Sequence, residues 1–443
     1  MAATPATATA TATAAPRLAT RTKLNSNQIK GFWAAWGGWC LDGMDAFIYS
    51  LVLVPALTEL LPKSGIAATP GNIGFYGSVL FALFLAGWGM SMVWGPIADR
   101  FGRVKALMMT ILMYSFFTFA CGIVQNVWQL AVLRVFCGIG LGGEQPIGGT
   151  FIAEEWPEDR RKMGAGYMHT GYYFGFFLAA LANYFIGANF GWRWMFILGG
   201  TPALLVGWIQ SGVHESAAWK AKFENPAARP RMRDSFAALF SNRFSRQTIT
   251  MSLLFTVSII GLWAGSIYVP TAITQIALRQ GHTAAEAARF ASYAGAVLSV
   301  GTIIGCLLAP VIAERVGRRP AMAIYFVLMF IGIGIGFGRV FYMQDALMPF
   351  FFLIFVLGLG GANFALYTLW IPEQYTTECR GSAIGFTSSV GRFVGVAMVF
   401  LVGAGIQRYG SLGVPVALTA AAFIIGLLVL PAAKETKGEP LPA

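Results

Sequence analysis

The chain alternates long apolar runs with short polar or charged breaks. Runs of spanning length can be counted as twelve, near 31–57, 73–95, 104–125, 127–152, 163–188, 192–212, 247–275, 288–312, 320–341, 346–372, 381–404 and 412–432. A helix rises about 1.5 Å per residue, so roughly 20 apolar residues cross the hydrocarbon of a bilayer. Lipid offers no partner to a backbone amide, and runs of this length satisfy theirs internally only as helices. The pattern therefore predicts an all-α membrane protein with twelve transmembrane helices. The longest polar interruption, 213–246, divides the runs six and six. The expected organisation is a disordered cytoplasmic tail (1–29), a six-helix bundle (30–212), a cytoplasmic linker (213–246), a second six-helix bundle (247–433) and a short cytoplasmic tail (434–443). The linker reads as amphipathic pieces lying at the membrane interface, with Trp219, Phe223, Phe236, Leu239 and Phe240 on the buried side.

Composition points to the same solvent: 56% of the 443 residues are hydrophobic and 11% charged, and mean hydropathy is +0.64. Soluble domains carry about a quarter charged residues. The formal net charge of +12 does not call for nucleic acid, because the basic residues sit in the short breaks where they set topology. With the N-terminus inside, roughly 23 Lys and Arg fall on the inner side and roughly 6 outside (Lys63, Arg193, Arg279, Arg289, Arg339 and Arg408). That bias places both termini in the cytoplasm, and the expected location is the plasma (inner) membrane. The N-terminal Ala/Thr-rich stretch lacks the apolar core of a secretory signal; its acid-free, basic composition also resembles a transit peptide, and a disordered tail is the preferred reading. Cys40, Cys121, Cys137, Cys306 and Cys379 show no metal spacing, and no cofactor is expected. Hydrolase, metalloprotease and phosphate-cradling motifs are lacking, so an enzyme is not expected.

Five charges lie deep in the runs: Asp42 and Asp45 in the first, Arg134 and Glu144 in the fourth, Arg392 in the eleventh. A charge near the bilayer centre costs at least about 2.5 to 3.5 kcal/mol, so each invites a functional reading. Asp42 and Asp45, three apart, share a helix face. Their repulsion and poor solvation favour binding a proton, which nominates them for proton coupling together with Arg134 and Glu144. Arg392 offers a permanently charged fork matched to a carboxylate. Structural alternatives stay open: an acid capping a break at Gly43, a bridge from Arg392 to Glu144, a packing role for Arg134. Tyr49, Tyr172, Tyr268, Asn363 and Tyr367 are candidate ligand contacts by depth, with Tyr173, Asn183, Trp263 and Tyr293 nearby, although such residues equally serve packing. His169 lies within a span and reads as packed or cytoplasm-facing, with a proton relay as the alternative; His214 and His282 fall in loops.

The two halves repeat. GPIADRFGRVKAL (Gly95 to Leu107) follows the second run and PVIAERVGRRPAM (Pro310 to Met322) the eighth. Asp99 aligns with Glu314, Arg100 with Arg315, Gly102 with Gly317 and Arg103 with Arg318, at an offset of 215 residues. Gly95 permits close helix approach, Gly102 and Gly317 a turn, and the acid can pair with the arginine or with a helix N-terminus. Such a charge lock would hold one state of a two-state carrier. The alternative is a solvated loop obeying topology bias.

These loops resemble the signature of the major facilitator superfamily. RVFCGIGLGGE (Arg134 to Glu144), GWRWMF (Gly191 to Phe196), IPEQYTTECRG (Ile371 to Gly381) and KETKG (Lys434 to Gly438) resemble its fourth-helix, sixth-helix, tenth-to-eleventh-loop and sugar-porter tail motifs. The resemblance implies two six-helix bundles around a central cavity that opens alternately to either side. LDGMDAFIY, GLGGE and SVGRFVG look like the organic-acid branch of proton symporters, with Met44 where that branch has an aromatic residue. The implied activity is proton-coupled symport of a small organic carboxylate by a functional monomer: the anion docks on Arg392, a proton neutralises Asp42 or Asp45, and Arg134 pairs with the acid after release. The rivals are a sugar or polyol porter, favoured by KETKG, GWRWMF and HESAAW but opposed by the seventh-span stretch TVSIIGLWAGSIYVPTAITQ, whose only glutamine is Gln275, and a nutrient sensor that does not transport.

Overall fold

A computed structural model of the chain describes residues 22–215, 219–221, 232–263, 268–409 and 411–442, and among them all regular structure is helical. Among the described residues eight helices are individually long and apolar enough to cross a bilayer, and a ninth if Ser26–Leu53 and Pro55–Lys63, bent by 65°, form one span. The fifth, sixth and seventh expected runs are helical but fall short of that measure. The fifth (Arg161–Ala182) carries two cations, His169 and three tyrosines, the sixth breaks between Trp192–Gly199 and Ala203–Gly212, and the seventh is described as Ser245–Gly261 and Val269–Arg279, with 264–267 outside the described residues. Counting these, twelve spanning units remain consistent with the chain.

Small residues set the helix spacing, as expected where packing rather than hydrophobicity must hold helices together in lipid. A β-carbon on Gly43 would lie 2.1 Å from the Tyr172 carbonyl oxygen, and one on Gly175 1.9 Å from that of Cys40, so the first and fifth spans touch backbone to backbone. Between the sequence halves, the second span packs on the eleventh (Arg380–Tyr409) and the fifth on the eighth (Ala284–Val316). At the first of these contacts a β-carbon on Gly95 would meet the Ser382 α-carbon at 2.6 Å; at the second, one on Gly166 would meet the Cys306 carbonyl at 2.7 Å.

The linker differs from its expected place. Helix Met232–Leu239 packs on the second and eleventh spans, Leu239 and Trp219 are buried, and the Trp219 indole donates to the Asp99 carbonyl at 2.8 Å. Its apolar side thus faces protein, not the membrane interface. Phe240, expected to be buried, is 54% exposed, because it lies just past the helix end and lays its ring edge against Phe386 from outside. Phe223 lies outside the described residues.

Candidate functional site

Halfway along the first span the helix presents Asp42 and Asp45 to the interior, both fully buried. Fourth-span residues meet them from both sides. The Arg134 guanidinium is 3.7 Å from Asp45 and lies 4.2 Å over the Phe84 ring and 4.4 Å over that of Tyr49. Glu144 accepts from the Thr110 hydroxyl at 3.2 Å and presses on Gly38, where a β-carbon would sit 2.3 Å from its Oε2. Gly38 to Asp45 covers seven residues, so the three acids form a column of about 10 Å along the first helix.

Arg392 comes from the other half of the chain. Its Nη2 donates to the Gln145 side-chain oxygen at 3.4 Å, its guanidinium lies 4.4 Å over the Trp88 ring, and it interacts electrostatically with Asp42. Among the described residues, its Nε and Nη1, the Gln145 Nε2, both oxygens of Asp42 and Asp45, and the indole N–H groups of Trp39, Trp88 and Trp263 have no hydrogen-bond partner. Buried polar groups are ordinarily bonded, and those that are not mark places where something else is bound or exchanged. Rings close the space: Trp39 against Tyr172 at 4.9 Å, Trp88 against Trp263 at 6.2 Å, Phe81 against Trp263 at 5.1 Å. His169 packs against Trp39 at 5.6 Å, the rings tilted by 49°, and meets the Thr368 hydroxyl of the second half at 3.3 Å.

The remaining ligand candidates are tied elsewhere. Tyr367 bonds to Ser258 at 2.9 Å, Asn363 donates to the Gly360 carbonyl of its own span while its Oδ1 is buried without a partner among the described residues, and Tyr49 donates to the Gly77 carbonyl. Tyr268 is half-buried at the start of Val269–Arg279 and Tyr293 is exposed on the bundle's exterior. Trp39, Trp88 and Gln145 were not singled out from sequence. Gln145, a lone amide in an apolar glycine-rich run beside Glu144, carried a usable signal; a tryptophan in a membrane span does not.

The loop signatures lie on the face that carries both chain ends. Asp99 accepts from the Ser382 hydroxyl at 2.5 Å and from the Ser382 and Gly381 amides at 3.0 and 3.2 Å, at the N-terminus of the eleventh span, and pairs with Arg103 at 3.2 Å. Arg103 and Arg380 share Glu154, at 3.0 and 2.9 Å. In the second copy Arg318 holds Glu373 through two bonds of 3.0 and 2.8 Å and Glu314 at 2.8 Å; Arg161 reaches Glu373 at 3.7 Å, and Lys162 reaches Glu314 at 3.0 Å. Gly102 and Gly317 have φ of +106° and +99° and start the next helices, whose first amides are capped by Glu215 (Arg103 N–H, 2.8 Å) and Glu435 (Arg318 N–H, 2.9 Å). Arg100 lies beside the Phe101 ring, and the Arg315 carbonyl accepts from Lys437. Glu154, Arg161, Glu373 and Arg380 extend the repeat beyond the two loops. Both Glu-to-Arg pairs have the same spacing, and each is offset by 219 residues from its counterpart, a signal that a wider search for the repeat would have found.

A family model described as Major Facilitator Superfamily matches residues 35–395. The chain is 27% identical to a niacin transporter of Acinetobacter baylyi over 84% of this chain and 85% of that one. It is 25% identical to a sialic acid transporter of Escherichia coli over 92% and 94%. Its fold is similar to that of a proton:xylose symporter bound to 6-bromo-6-deoxy-D-glucose, with a TM-score of 0.76 and 17% identity over 94% of this chain and 98% of that one. The protein belongs to the major facilitator superfamily, as a multi-pass membrane transport protein and not an enzyme.

Proposed function

We propose that the protein is a proton-coupled symporter of a small organic monocarboxylate, working as a monomer in the inner membrane with both termini cytoplasmic. The observation that carries this reading is the charge balance of the buried cluster. Three acids (Asp42, Asp45, Glu144) and two guanidiniums (Arg134, Arg392) leave one negative charge in excess when all are ionised. A buried net charge is disfavoured, so the empty site holds one proton. A monocarboxylate docking on Arg392 restores the excess, and a second proton removes it. Arg134 already serves Asp45, whereas Arg392 must serve either Asp42 or the ligand. Substrate binding therefore takes the cation away from Asp42, which accepts the proton that travels with the cargo. Niacin and sialic acid, the cargoes named for two relatives, are carboxylic acids, which supports an anion over a sugar.

The test is uptake of radiolabelled monocarboxylates and sugars by proteoliposomes. An acidic exterior is expected to drive accumulation of a monocarboxylate. A potassium-diffusion potential should leave the flux unchanged, since one proton per monoanion moves no net charge. Asp42→Asn should abolish pH-driven accumulation while retaining exchange of internal for external cargo. Sugar uptake, or undiminished accumulation in the Asp42→Asn/Asp45→Asn double variant, would sink the proposal.

A further inference from the structure

A cavity of about 250 Å³ opens on the face bearing the chain ends, away from the mid-membrane cluster, lined by Arg246, Gln247, Arg319, Ala432, Ala433 and Lys434. Three chain segments build it. Arg246 and Gln247 start helix Ser245–Gly261, Arg319 starts Arg318–Gly338, and Ala432 to Lys434 leave the last span. Helix Ser245–Gly261 has no side-chain cap; the Ser241 carbonyl takes its Ser245 amide, which leaves the Arg246 and Gln247 amides and the positive end of its dipole at this level. The start of Arg318–Gly338 is instead already capped by Glu435.

The acids nearby are committed. Glu435 accepts the Arg318 and Arg319 amides, and Glu439 pairs with Lys434 at 2.6 Å. Arg246 and Arg319 form no ion pair among the described residues, and the Arg319 Nε is enclosed without a partner. Two uncommitted guanidiniums and the Arg246 and Gln247 amides of the helix start make an anion site. What lies above it selects the anion. Ile249 and Leu253, on the helix face of Arg246, and Leu428, one turn before Ala432, are at least half exposed. In a membrane protein that surface faces acyl chains, so the basic cavity ends an apolar strip.

We propose that this cavity binds the headgroup of an anionic phospholipid, its acyl chains lying along Ile249, Leu253 and Leu428. The site is independent of the transport reading. It touches the tail segment that braces the second loop signature: the Lys434 carbonyl accepts from Trp370 at 2.9 Å and the Thr436 hydroxyl donates to Glu373 at 2.5 Å.

The experiment uses the full chain in a neutral detergent, titrated with dioctanoyl-phosphatidylglycerol, dioctanoyl-phosphatidylcholine or inorganic phosphate. Unfolding temperature and lipid retained in native mass spectrometry are the readouts. Phosphatidylglycerol is expected to stabilise the protein and remain bound, phosphatidylcholine and phosphate not. Arg246→Gln/Arg319→Gln should bind phosphatidylglycerol roughly tenfold or more weakly, whereas Lys105→Gln/Lys220→Gln, which removes equal charge from the same face, should bind as the wild type does. Should the glutamine pair fail to fold, Arg246→Lys/Arg319→Lys should retain binding within about threefold, and wild-type binding should weaken as NaCl rises from about 50 to about 500 mM. Equal loss in both glutamine pairs, insensitivity to salt, or equal stabilisation by phosphate would overturn the lipid site.

Discussion

Around Asp99 the bonds run across the molecule: carboxylate to the Ser382 hydroxyl and to two amides of the opposite half, and Glu154 to Arg380 as well as to Arg103, all of these side chains buried. Around Glu314 they mostly stay at home. Arg318 closes its two-pronged contact on Glu373 within the second half, Arg161 reaches that acid only at 3.7 Å without a hydrogen bond, and the crossing is left to Lys162 and Glu314, the latter 42% exposed. One ancestral loop has become a clamp between halves in the first copy and a brace within one half in the second. The difference is one of solvent. A charge-assisted bond in a buried site is worth about 1.5 to 3 kcal/mol, an exposed ion pair about 0 to 1.

The largest effect should come from removing the anion that two buried arginines share. Glu154→Gln leaves Arg380 without an acid partner among the described residues and Arg103 with Asp99 alone, a change costing about 3 to 5 kcal/mol in the clamped arrangement. Glu373→Gln still leaves Arg318 with Glu314. Thr368→Cys places a thiol on the small cavity between the halves, and the native cysteines are buried. Labelling of that thiol by an impermeant maleimide from the cytoplasmic face should rise at least tenfold with Glu154→Gln and less than about threefold with Glu373→Gln. Equal gains would erase the distinction between clamp and brace.

Next in size is the pair of signature acids. Asp99→Asn gives up an ionic acceptor of three bonds across the halves, and transport should fall roughly tenfold or more at unchanged expression. Glu314→Gln should stay within about threefold of wild type. Gly95→Ala tests the same clamp sterically: its methyl would meet the Ser382 backbone, which cannot yield as a side chain would. Overpacking of this kind costs about 1 to 3 kcal/mol, a several-fold loss of transport. Because Gly95 and Asp99 act on one contact, their double variant should be no worse than Asp99→Asn alone, whereas Gly95→Ala combined with Glu314→Gln should be additive. Full additivity in both pairs would show that Gly95 serves something other than the clamp.

How much of this was legible follows from what each signal encodes. Apolar runs report the solvent directly, so the helical class and the spanning units could be read from Gly31 onward, and in-span charges such as Asp42 and Arg392 stand out against it. Depth along a helix does not report azimuth. Asn363 and Tyr367 lie at the right level, yet are bonded to Gly360 and Ser258 within their own half. The loop repeat is visible because local needs are alike in both copies: Gly102 and Gly317 both take positive φ ahead of a helix. Which copy clamps is not, since Asp99 and Glu314 differ in burial only through the helices that tertiary packing sets against them. The linker helix erred in the same way: its apolar side was readable, while its choice of protein over lipid depended on what lay across from it.

Where the copies agree in geometry, effects should be small and equal. Glu215 and Glu435 each cap the helix that follows a signature glycine, each bonding its first two amides. Burial works against the charge on Glu435, but backbone amides of Arg318, Arg319, Lys437 and Thr436 outweigh it and hold its carboxyl below the ordinary value of 4.5. A carboxyl lowered on folding adds stability that is present above its unfolded value and lost as pH falls below it. A charge at a helix N-terminus is worth about 0.3 to 1 kcal/mol. Glu435→Gln should therefore lower the unfolding temperature by about 1 to 2 °C at neutral pH, with Glu215→Gln matching it. Toward pH 4 and below, the gap between wild type and Glu435→Gln should close, because the protonated wild-type side chain, like the amide, no longer carries the charge that the helix start favours. A gap that persists undiminished in acid would mean the side chain acts through packing alone, and a Glu215→Gln effect several times larger would mean that the clamp, and not the cap, sets the stability of the first copy.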